Sequence, residues 1–224
     1  PRSTPLYSSA ASDVYKRQML YFKLLGMEIN LNCDLGEKSK HHSNENDPEL
    51  LKIVNSANVA CGYHAGDEQT MQEVVKISKE NNVSIGAHPS FKDPENFGRK
   101  RMDLSASEIT KLVTDQYEIL QNIASLQGEK VSHIKPHGAL NNMACEDLEL
   151  ATTLAKTIYH IDKEIIYLVP TGSKMEIAAK KLNMKIACEI FADRNYEDDG
   201  TLVSRTKVHA LITDPNQAKN HVLN

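Results

Sequence analysis

The chain has 224 residues, with 26 basic and 30 acidic side chains, a formal net charge of −4 and 40% hydrophobic residues. This composition is typical of a folded globular protein. The acidic balance argues against binding to nucleic acid or to an anionic membrane, because both need a cationic face. No apolar run approaches the roughly 20 residues of a membrane span. Four widely spaced cysteines without a CxxC pair indicate reduced thiols in a cytoplasmic protein.

The first part of the chain carries no sign of a fold. Residues 1–18 show neither helical nor strand periodicity, and the chain begins with Pro1. Their Ser- and Ala-rich stretch resembles translated adaptor sequence, and no apolar centre typical of a signal peptide is present. We therefore expect a non-native or disordered leader, with Met19 or Met27 as the start, and one folded domain over residues 27–224.

Short β-rich runs alternate with helical patterns through the rest of the chain. Strands are predicted at residues 28–33, 57–61, 83–87, 131–135, 165–169 and 185–191. Helices are predicted at residues 68–80, 105–127 and 148–158, after Ser173, and from residue 215 onward. The helix at 105–127 has the strongest signal, a capping box of Ser105 and Glu108 followed by apolar residues at 3–4 spacing.

This order of elements predicts a single α/β domain. Most strand candidates are apolar enough to be buried on both faces, as strands of parallel sheets are. A (β/α) barrel and a doubly wound open sheet both fit six strand–helix units with right-handed crossovers. Polar residues follow the ends of several strands, where the catalytic groups of barrels collect. We therefore predict a barrel-like (β/α) fold and keep the open sheet as the alternative.

Residues suited to acid–base chemistry follow the first two strands. Asp34 and Glu37 flank a turn glycine, and could act as a base and a substrate or metal ligand, or as a cap and a solvated side chain. His64 and Asp67 lie among glycines that let backbone approach a ligand. Asp67 either orients the imidazole of His64 or only caps the next helix.

Further polar groups follow the third and fourth strands. His88 ends the third strand, held extended by the proline after it. Arg99 belongs to a basic run that is either solvated surface or an attractor for an anionic group. Lys135 and His137 follow the fourth strand, and a lysine at the end of a buried strand has to find a carboxylate or a ligand.

Charged residues also surround the sixth predicted strand. They either pair with one another or bind substrate, and they are Glu189, Asp193, Arg194 and Arg205. The sequence contains no GxxxxGK[ST], GxGxxG, HExxH or GxSxG motif, so no phosphate loop and no nucleophile elbow is present. The histidines and carboxylates instead suit acid–base or metal-assisted hydrolysis of a small polar substrate. Asp34, His64 and His88, with His137 as an alternative, are the candidate ligands for a divalent metal ion.

Six motifs in register carry a family resemblance. They are LNCDLGE (31–37), SANVACGYHAGD (56–67), GAHPSF (86–91), FGRK (97–100), HIKPHGALNNMA (133–144) and EIFADRNYEDDGTLVSR (189–205). Together they closely resemble the LamB/YcsF lactam-utilisation family, which is described as the A subunit of 5-oxoprolinase. The resemblance implies a cytosolic, barrel-like fold similar to the glycoside hydrolase/deacetylase group. It also implies ATP-dependent opening of 5-oxo-L-proline to L-glutamate together with two partner subunits, B and C.

Roles for individual residues follow as expectations from that resemblance and from their chemistry. General acid–base groups are expected at Asp34, His64, Asp67 and His137. Substrate-binding or orienting groups are expected at Glu37, His88, Arg99, Lys135, Glu189 and Arg194. Because the chain lacks a phosphate loop, we expect the partner subunits to carry out the ATP-dependent step.

The sequence departs from the family pattern in two places, and two alternative functions stay open. Residues 38–46 replace a stretch that usually carries glycine and aromatic residues, and family members continue into a further strand ending in His-Gly-Asp. We therefore expect the barrel to be truncated at its C-terminus, with its last strand missing, and the 224-residue chain to be poorly stable and inactive. The alternatives are a stand-alone metal-dependent amidohydrolase or carbohydrate deacetylase, and a non-catalytic assembly subunit.

Overall fold

A computed structural model describes residues 29–40 and 42–223. The predicted leader, both candidate start residues and His41 lie outside them. The described elements are, in chain order, β1 (Asn32–Leu35), α1 (Asp47–Leu50), β2 (Ser56–Ala60), α2 (Glu68–Glu80), β3 (Ser84–His88), α3 (Ala106–Leu126), β4 (Val131–Ile134), α4 (Gly138–Glu146), α5 (Leu148–Ile161), β5 (Ile166–Pro170), α6 (Lys174–Lys181), β6 (Ile186–Glu189) and α7 (Pro215–Leu223).

All six predicted strands and all five predicted helices are present, with ends shifted by a few residues. The helix α2 has the predicted bounds, and Ser105 and Glu108 form the expected capping box at the start of α3. The helices α1 and α4 were not predicted from the sequence. The helix α1 is a single turn, and α4 begins at a glycine, which is not a helix-start signal.

The six strands form one parallel sheet in the sequential order β1-β2-β3-β4-β5-β6. A doubly wound sheet would instead reverse its strand order at a switch point. The barrel-like prediction is therefore confirmed and the open-sheet alternative is wrong. No ladder joins β1 to β6 within the described residues, so these six strands form a half-barrel.

The sheet is strongly curled. Five strand spacings in a flat sheet would separate β1 from β6 by about 24 Å. The side chains of Asn32 on β1 and Glu189 on β6 nevertheless approach to 3.4 Å. Residues on the outer side of the strands, such as Val59 and Ile134, pack in the main core beneath the helices. The polar side chains of the strands therefore face the concave inner side, and the functional groups lie there.

The helices cover the convex side of the sheet with apolar faces. In α3 the buried residues repeat at 3–4 spacing from Ile109 to Ala124, as the sequence predicts. The helix α5 packs beside it and buries Leu154 and Ile158. Among the described residues no helix is long and apolar enough to cross a membrane.

Candidate functional site

Charged and imidazole side chains meet at the carboxyl ends of the strands. His88 and Glu189 are the last residues of β3 and β6, and Asp34 lies on β1. Lys135 and His137 directly follow β4. Because parallel strands end at the same edge of a sheet, its curl brings these distant residues together on the concave side.

Lys135 forms the base of this cluster. Its ammonium nitrogen lies 3.0 Å from Asp34 Oδ1 and 3.1 Å from Glu189 Oε2. It also donates to Asn32 Oδ1 at 3.2 Å, so all three of its N–H donors have acceptors. Burial lowers the pKa of Lys135, but the two carboxylates outweigh that effect and raise it above its usual value. Lys135 is a buried cation that positions Asp34 and Glu189.

Two imidazoles face each other above this lysine. His88 Nε2 and His137 Nδ1 lie 3.0 Å apart. The other nitrogen of each ring donates to a backbone carbonyl: His88 Nδ1 to Lys135 O at 2.6 Å and His137 Nε2 to Phe97 O at 3.0 Å. These carbonyls fix the tautomer of each neutral ring, because a carbonyl only accepts a hydrogen bond.

Glu37 completes the cluster from the loop after β1. Its Oε1 atom lies 3.2 Å from His137 Nδ1 and 3.8 Å from His88 Nε2. The same oxygen is 3.0 Å from His64 Nε2, and the fully buried ring of His64 stacks on that of His137 at a centroid distance of 3.9 Å. Glu37 therefore has three imidazoles within reach.

Burial and mutual charge set the protonation of the cluster. Burial raises the pKa of Asp34, but His88 and Lys135 outweigh it and hold that pKa well below its usual value. Burial lowers the pKa of His88, but Asp34 outweighs it and raises that pKa. Burial and His88 lower the pKa of His64 and of His137 to about 3. At neutral pH the site therefore holds an ionised aspartate beside two neutral imidazoles.

A loop with an unusual backbone covers one side of the cluster. Phe97 has a positive φ of 56°, and its carbonyl is the acceptor for His137. Its ring lies nearly perpendicular to the ring of His64 at a centroid distance of 5.4 Å, and the guanidinium of Arg99 lies 4.9 Å from its centroid. Gly98 O accepts from Ala139 N at 2.9 Å, which ties this loop to α4.

Arginines at the mouth of the site repel one another. Burial and Arg205 lower the pKa of Arg99. The same two causes, in that order, lower the pKa of Arg194. The Arg194 side chain is buried and donates to Val203 O at 2.7 Å and Ala210 O at 3.3 Å. Arg194 therefore stabilises the loop after β6. Arg99 and Arg205, in contrast, are exposed.

Asp67 lies apart from the cluster. Its Oδ1 atom accepts from Thr70 N and Thr70 Oγ1, both at 2.7 Å, which makes it the N-cap of α2. The side chain is exposed. The helix-cap interpretation of the sequence is therefore the correct one, and the structure does not bring Asp67 to the acid–base groups.

Two groups of side chains have ligand atoms close enough to hold one metal ion. They are Asp34, His88 and His137, and Glu37, His64 and His137. The predicted set of Asp34, His64 and His88, with His137 as an alternative, differs from both groups, because His64 and His88 fall in separate groups and His137 belongs to each. The rings of His64 and His88 are 5.7 Å apart and edge-on, whereas His88 and His137 present nitrogens to each other.

Several residues of the site were not singled out from the sequence. Asn58 on β2 donates to Asn32 and Asp34, and accepts from His133 on β4. Polar residues within otherwise buried strands were the available signal for these. Phe97 acts through its backbone carbonyl, and no side-chain pattern predicts that.

The comparison with known protein families settles what kind of chain this is. The model of the LamB/YcsF family matches residues 29–224. The chain belongs to the LamB/YcsF family. The resemblance carried by the six sequence motifs is thereby confirmed.

Individual relatives agree with this assignment. The chain is 46% identical over 198 residues to the A subunit of 5-oxoprolinase from Rhodopseudomonas palustris, covering 88% of this chain and 78% of the relative. It is 43% identical over 197 residues to the protein of the same name from Staphylococcus aureus, covering 88% and 79%. The lactam utilization protein from Thermus thermophilus has the same fold, with a TM-score of 0.81, 36% identity and coverage of 87% and 78%.

Proposed function

We propose that this chain is the A subunit of a 5-oxoprolinase that opens 5-oxo-L-proline to L-glutamate in an ATP-dependent reaction with subunits B and C. The names of the relatives support the substrate and a complex of several subunits. The observation that carries the proposal is the meeting of Asp34, Glu37, His64 and His137 in one cluster at the strand ends. A cytoplasmic location belongs to the same proposal, because ATP is available there.

The reaction requires groups of this kind. Ring opening breaks the lactam C–N bond: the oxygen of water joins the carbonyl carbon, and a proton reaches the ring nitrogen. A carboxylate next to neutral imidazoles can take the proton from water and pass one to the leaving nitrogen. Glu37 lies beside both His64 and His137, so we assign it the transfer of protons together with those rings.

The substrate also carries a carboxylate that must be held. Lys135 has no free donor for it, because Asp34, Glu189 and Asn32 occupy all three. We therefore assign the substrate carboxylate, or a phosphate, to the guanidinium groups at the mouth, foremost Arg99. Their mutual repulsion, which lowers the pKa of Arg99, is relieved when an anion binds between them.

The use of ATP is assigned to the complex. The sequence has no phosphate-binding loop motif. The site therefore does not fit ATP as a resident ligand. Subunits B and C are proposed to supply the ATP-dependent activation of the lactam.

Reconstitution tests the proposal directly. The full-length protein is mixed with candidate subunits B and C, and release of L-glutamate from 5-oxo-L-proline is measured with and without ATP. We expect activity only when ATP and all three subunits are present. His64→Ala and His137→Ala should each abolish it, and His160→Ala, on the exposed side of α5, should not. Intact activity in both site variants would contradict the proposal.

A second function is favoured by one observation, the metal-ligand geometry of the site. A stand-alone metal-dependent amidohydrolase or carbohydrate deacetylase would use the same cluster of side chains. It would turn over without ATP and without partner subunits, so the same assay separates the two. A non-catalytic assembly subunit would leave the complex active after the histidine substitutions.

A further inference from the structure

The facing nitrogens of His88 and His137 pose a chemical problem. Each ring donates a hydrogen bond from its N–H to a backbone carbonyl. His88 donates to Lys135 O at 2.6 Å, and His137 donates to Phe97 O at 3.0 Å. In the neutral rings this leaves a lone pair on His88 Nε2 and on His137 Nδ1, which are only 3.0 Å apart. Two lone pairs at this distance repel each other unless a positive charge lies between them.

Carboxylate oxygens converge on the same point. Asp34 Oδ2 lies 3.4 Å from His88 Nε2, and Glu37 Oε1 lies 3.2 Å from His137 Nδ1 and 3.8 Å from His88 Nε2. Two ligand atoms at about 2.1 Å from a tetrahedral zinc ion are themselves about 3.4 Å apart. The separations of 3.0 to 3.8 Å match that spacing, so the two imidazole nitrogens outline part of a coordination shell together with each of the two carboxylate oxygens.

We propose that Asp34, Glu37, His88 and His137 bind one divalent transition-metal ion of the zinc type. Imidazole nitrogen with carboxylate oxygen is a ligand set that such ions favour. The described cysteines do not contribute, because neither group of closely spaced ligand atoms includes a cysteine sulfur.

Each of the four ligands is oriented by a hydrogen bond from behind. Backbone carbonyls fix the two imidazoles, and Lys135 and Asn58 hold Oδ1 of Asp34, which leaves its Oδ2 toward His88. The neutral ring of His64 donates from Nε2 to Glu37 Oε1. Metal sites in proteins have this second layer of partners, which orients the ligands. His64 is therefore a positioning residue for the ion.

A shared proton is the competing explanation for the approach of the two rings. An imidazolium at His88 would donate from Nε2 to His137 Nδ1. The Glu37 oxygen would then still face the lone pair of His137 at 3.2 Å with no proton between them. A cation at the centre relieves both repulsive contacts, whereas the proton relieves one.

Bound to the site, such an ion would polarise a carbonyl oxygen or lower the pKa of a water molecule, and both effects assist hydrolysis of an unreactive amide. The inference adds to the proposed function, but it rests on geometry alone. Metal content is measured without substrate, ATP or partner subunits. Metal binding without 5-oxoproline turnover would therefore refute the function and leave the metal site standing, and the reverse result would refute only the metal site.

The test is metal uptake by the purified 224-residue chain. The apo-protein is titrated with Zn²⁺ and Co²⁺, the bound metal is counted by mass spectrometry, and the visible spectrum of the Co²⁺ form is recorded. We expect about one ion per chain and no thiolate charge-transfer band. His88→Gln and His137→Gln should each weaken binding by more than about 100-fold, and His64→Ala by about 10- to 100-fold.

His160→Gln is the matched control, because it removes an exposed imidazole on α5 and should bind like the wild type. Circular dichroism and thermal melting establish that each variant is folded. If folded wild-type protein takes up neither ion, or if folded His88→Gln and His137→Gln take up as much as the wild type, the inference is wrong. A thiolate band in the Co²⁺ spectrum of the wild-type protein would also contradict the assigned ligands, because it would show that a cysteine binds the ion.

Discussion

Lys135 and Glu189 form an ion pair of 3.1 Å across the inside of the curled sheet, although one follows β4 and the other ends β6. The same ammonium group lies 3.0 Å from Asp34 on β1. One buried cation therefore connects the first and last described strands of the half-barrel. It keeps two carboxylates in place beneath the imidazoles of the site.

The first prediction concerns the stability of this connection. Lys135→Met removes the cation and leaves Asp34 and Glu189 as uncompensated carboxylates. Breaking a buried ion pair from one side costs about 3–5 kcal/mol in the free energy of unfolding. Urea denaturation followed by circular dichroism measures this loss.

A surface lysine provides the control for Lys135→Met. Lys111 pairs with Asp115 one turn away on α3, and its side chain is 76% exposed. Lys111→Met should leave the urea midpoint nearly unchanged, because exposed ion pairs contribute little. Equal midpoints for Lys135→Met and the wild type would show that the buried ion pair does not stabilise the fold.

The second prediction concerns the loop that covers the site. Gly98 has a φ of 66°, and a Cβ atom there would lie 2.1 Å from Ser90 Oγ and 2.9 Å from His64 Cβ. Gly98→Ala should therefore displace the loop or His64 and lower the rate of the reconstituted complex. Gly172→Ala is the matched control, because its φ of 78° carries similar backbone strain with no atom within 4 Å.

Unfolding measurements separate the two glycine variants. Both substitutions place a side chain at positive φ, so their shared cost is the backbone strain. We expect Gly98→Ala to lose about 1–3 kcal/mol more than Gly172→Ala, which is the usual cost of overpacking. Equal losses would mean that the loop moves aside freely and does not constrain His64.

The sequence carried enough information to place most of the site. Asp34, His88, Lys135 and His137 each follow or end an apolar strand, and parallel strands end at one edge of a sheet. That geometric rule brings them together without knowledge of any contact. The barrel-like fold followed from the same alternation of strands and helices.

The contacts themselves could not be predicted from the sequence. An aspartate before a helix has the same local pattern whether it caps the helix or serves a histidine, and Asp67 proved to be a cap. His137 contacts His88 and Glu37, and which side chains it contacts depends on how far the sheet curls. The carbonyl of Phe97 reaches His137 only because its backbone has a positive φ, which no apolar pattern encodes.

The third prediction separates a capping residue from a reacting one. Asp67→Ala removes the side chain that accepts from Thr70 N, so α2 should lose about 1 kcal/mol of stability, the usual value of an N-cap. The kcat of the reconstituted complex should stay near the wild-type value at a temperature where the variant is folded.

Glu37→Gln is the counterpart of Asp67→Ala. It preserves the size of the side chain beside His64 and His137 but removes the negative charge that takes up a proton. We expect a fall in kcat of at least about 100-fold, the lower range for loss of a general base. Steady-state kinetics of both variants test this distinction. A large loss of kcat in Asp67→Ala would show that Asp67 takes part in the reaction and is not only a helix cap.

The last prediction is a pH dependence of stability that originates in His133. This residue is 3% exposed, and its Nε2 atom lies 3.0 Å from Asn58 Oδ1 on the inner side of the sheet. Burial, Lys135 and His88 lower its pKa from 6.5 to about 4. Between pH 6.5 and pH 4 the unfolded chain therefore binds a proton at this position that the folded chain does not.

Stability should consequently decrease as the pH falls through this window, because protonation favours the unfolded state. A shift from 6.5 to about 4 corresponds to about 3 kcal/mol at pH 4 and below, and the loss disappears as the pH rises to 6.5. Urea unfolding of wild type and His133→Gln at several pH values measures it. The variant should show a shallower pH slope by about one proton, whereas His160→Gln should keep the wild-type slope. Identical slopes for all three proteins would mean that His133 does not resist protonation in the folded chain.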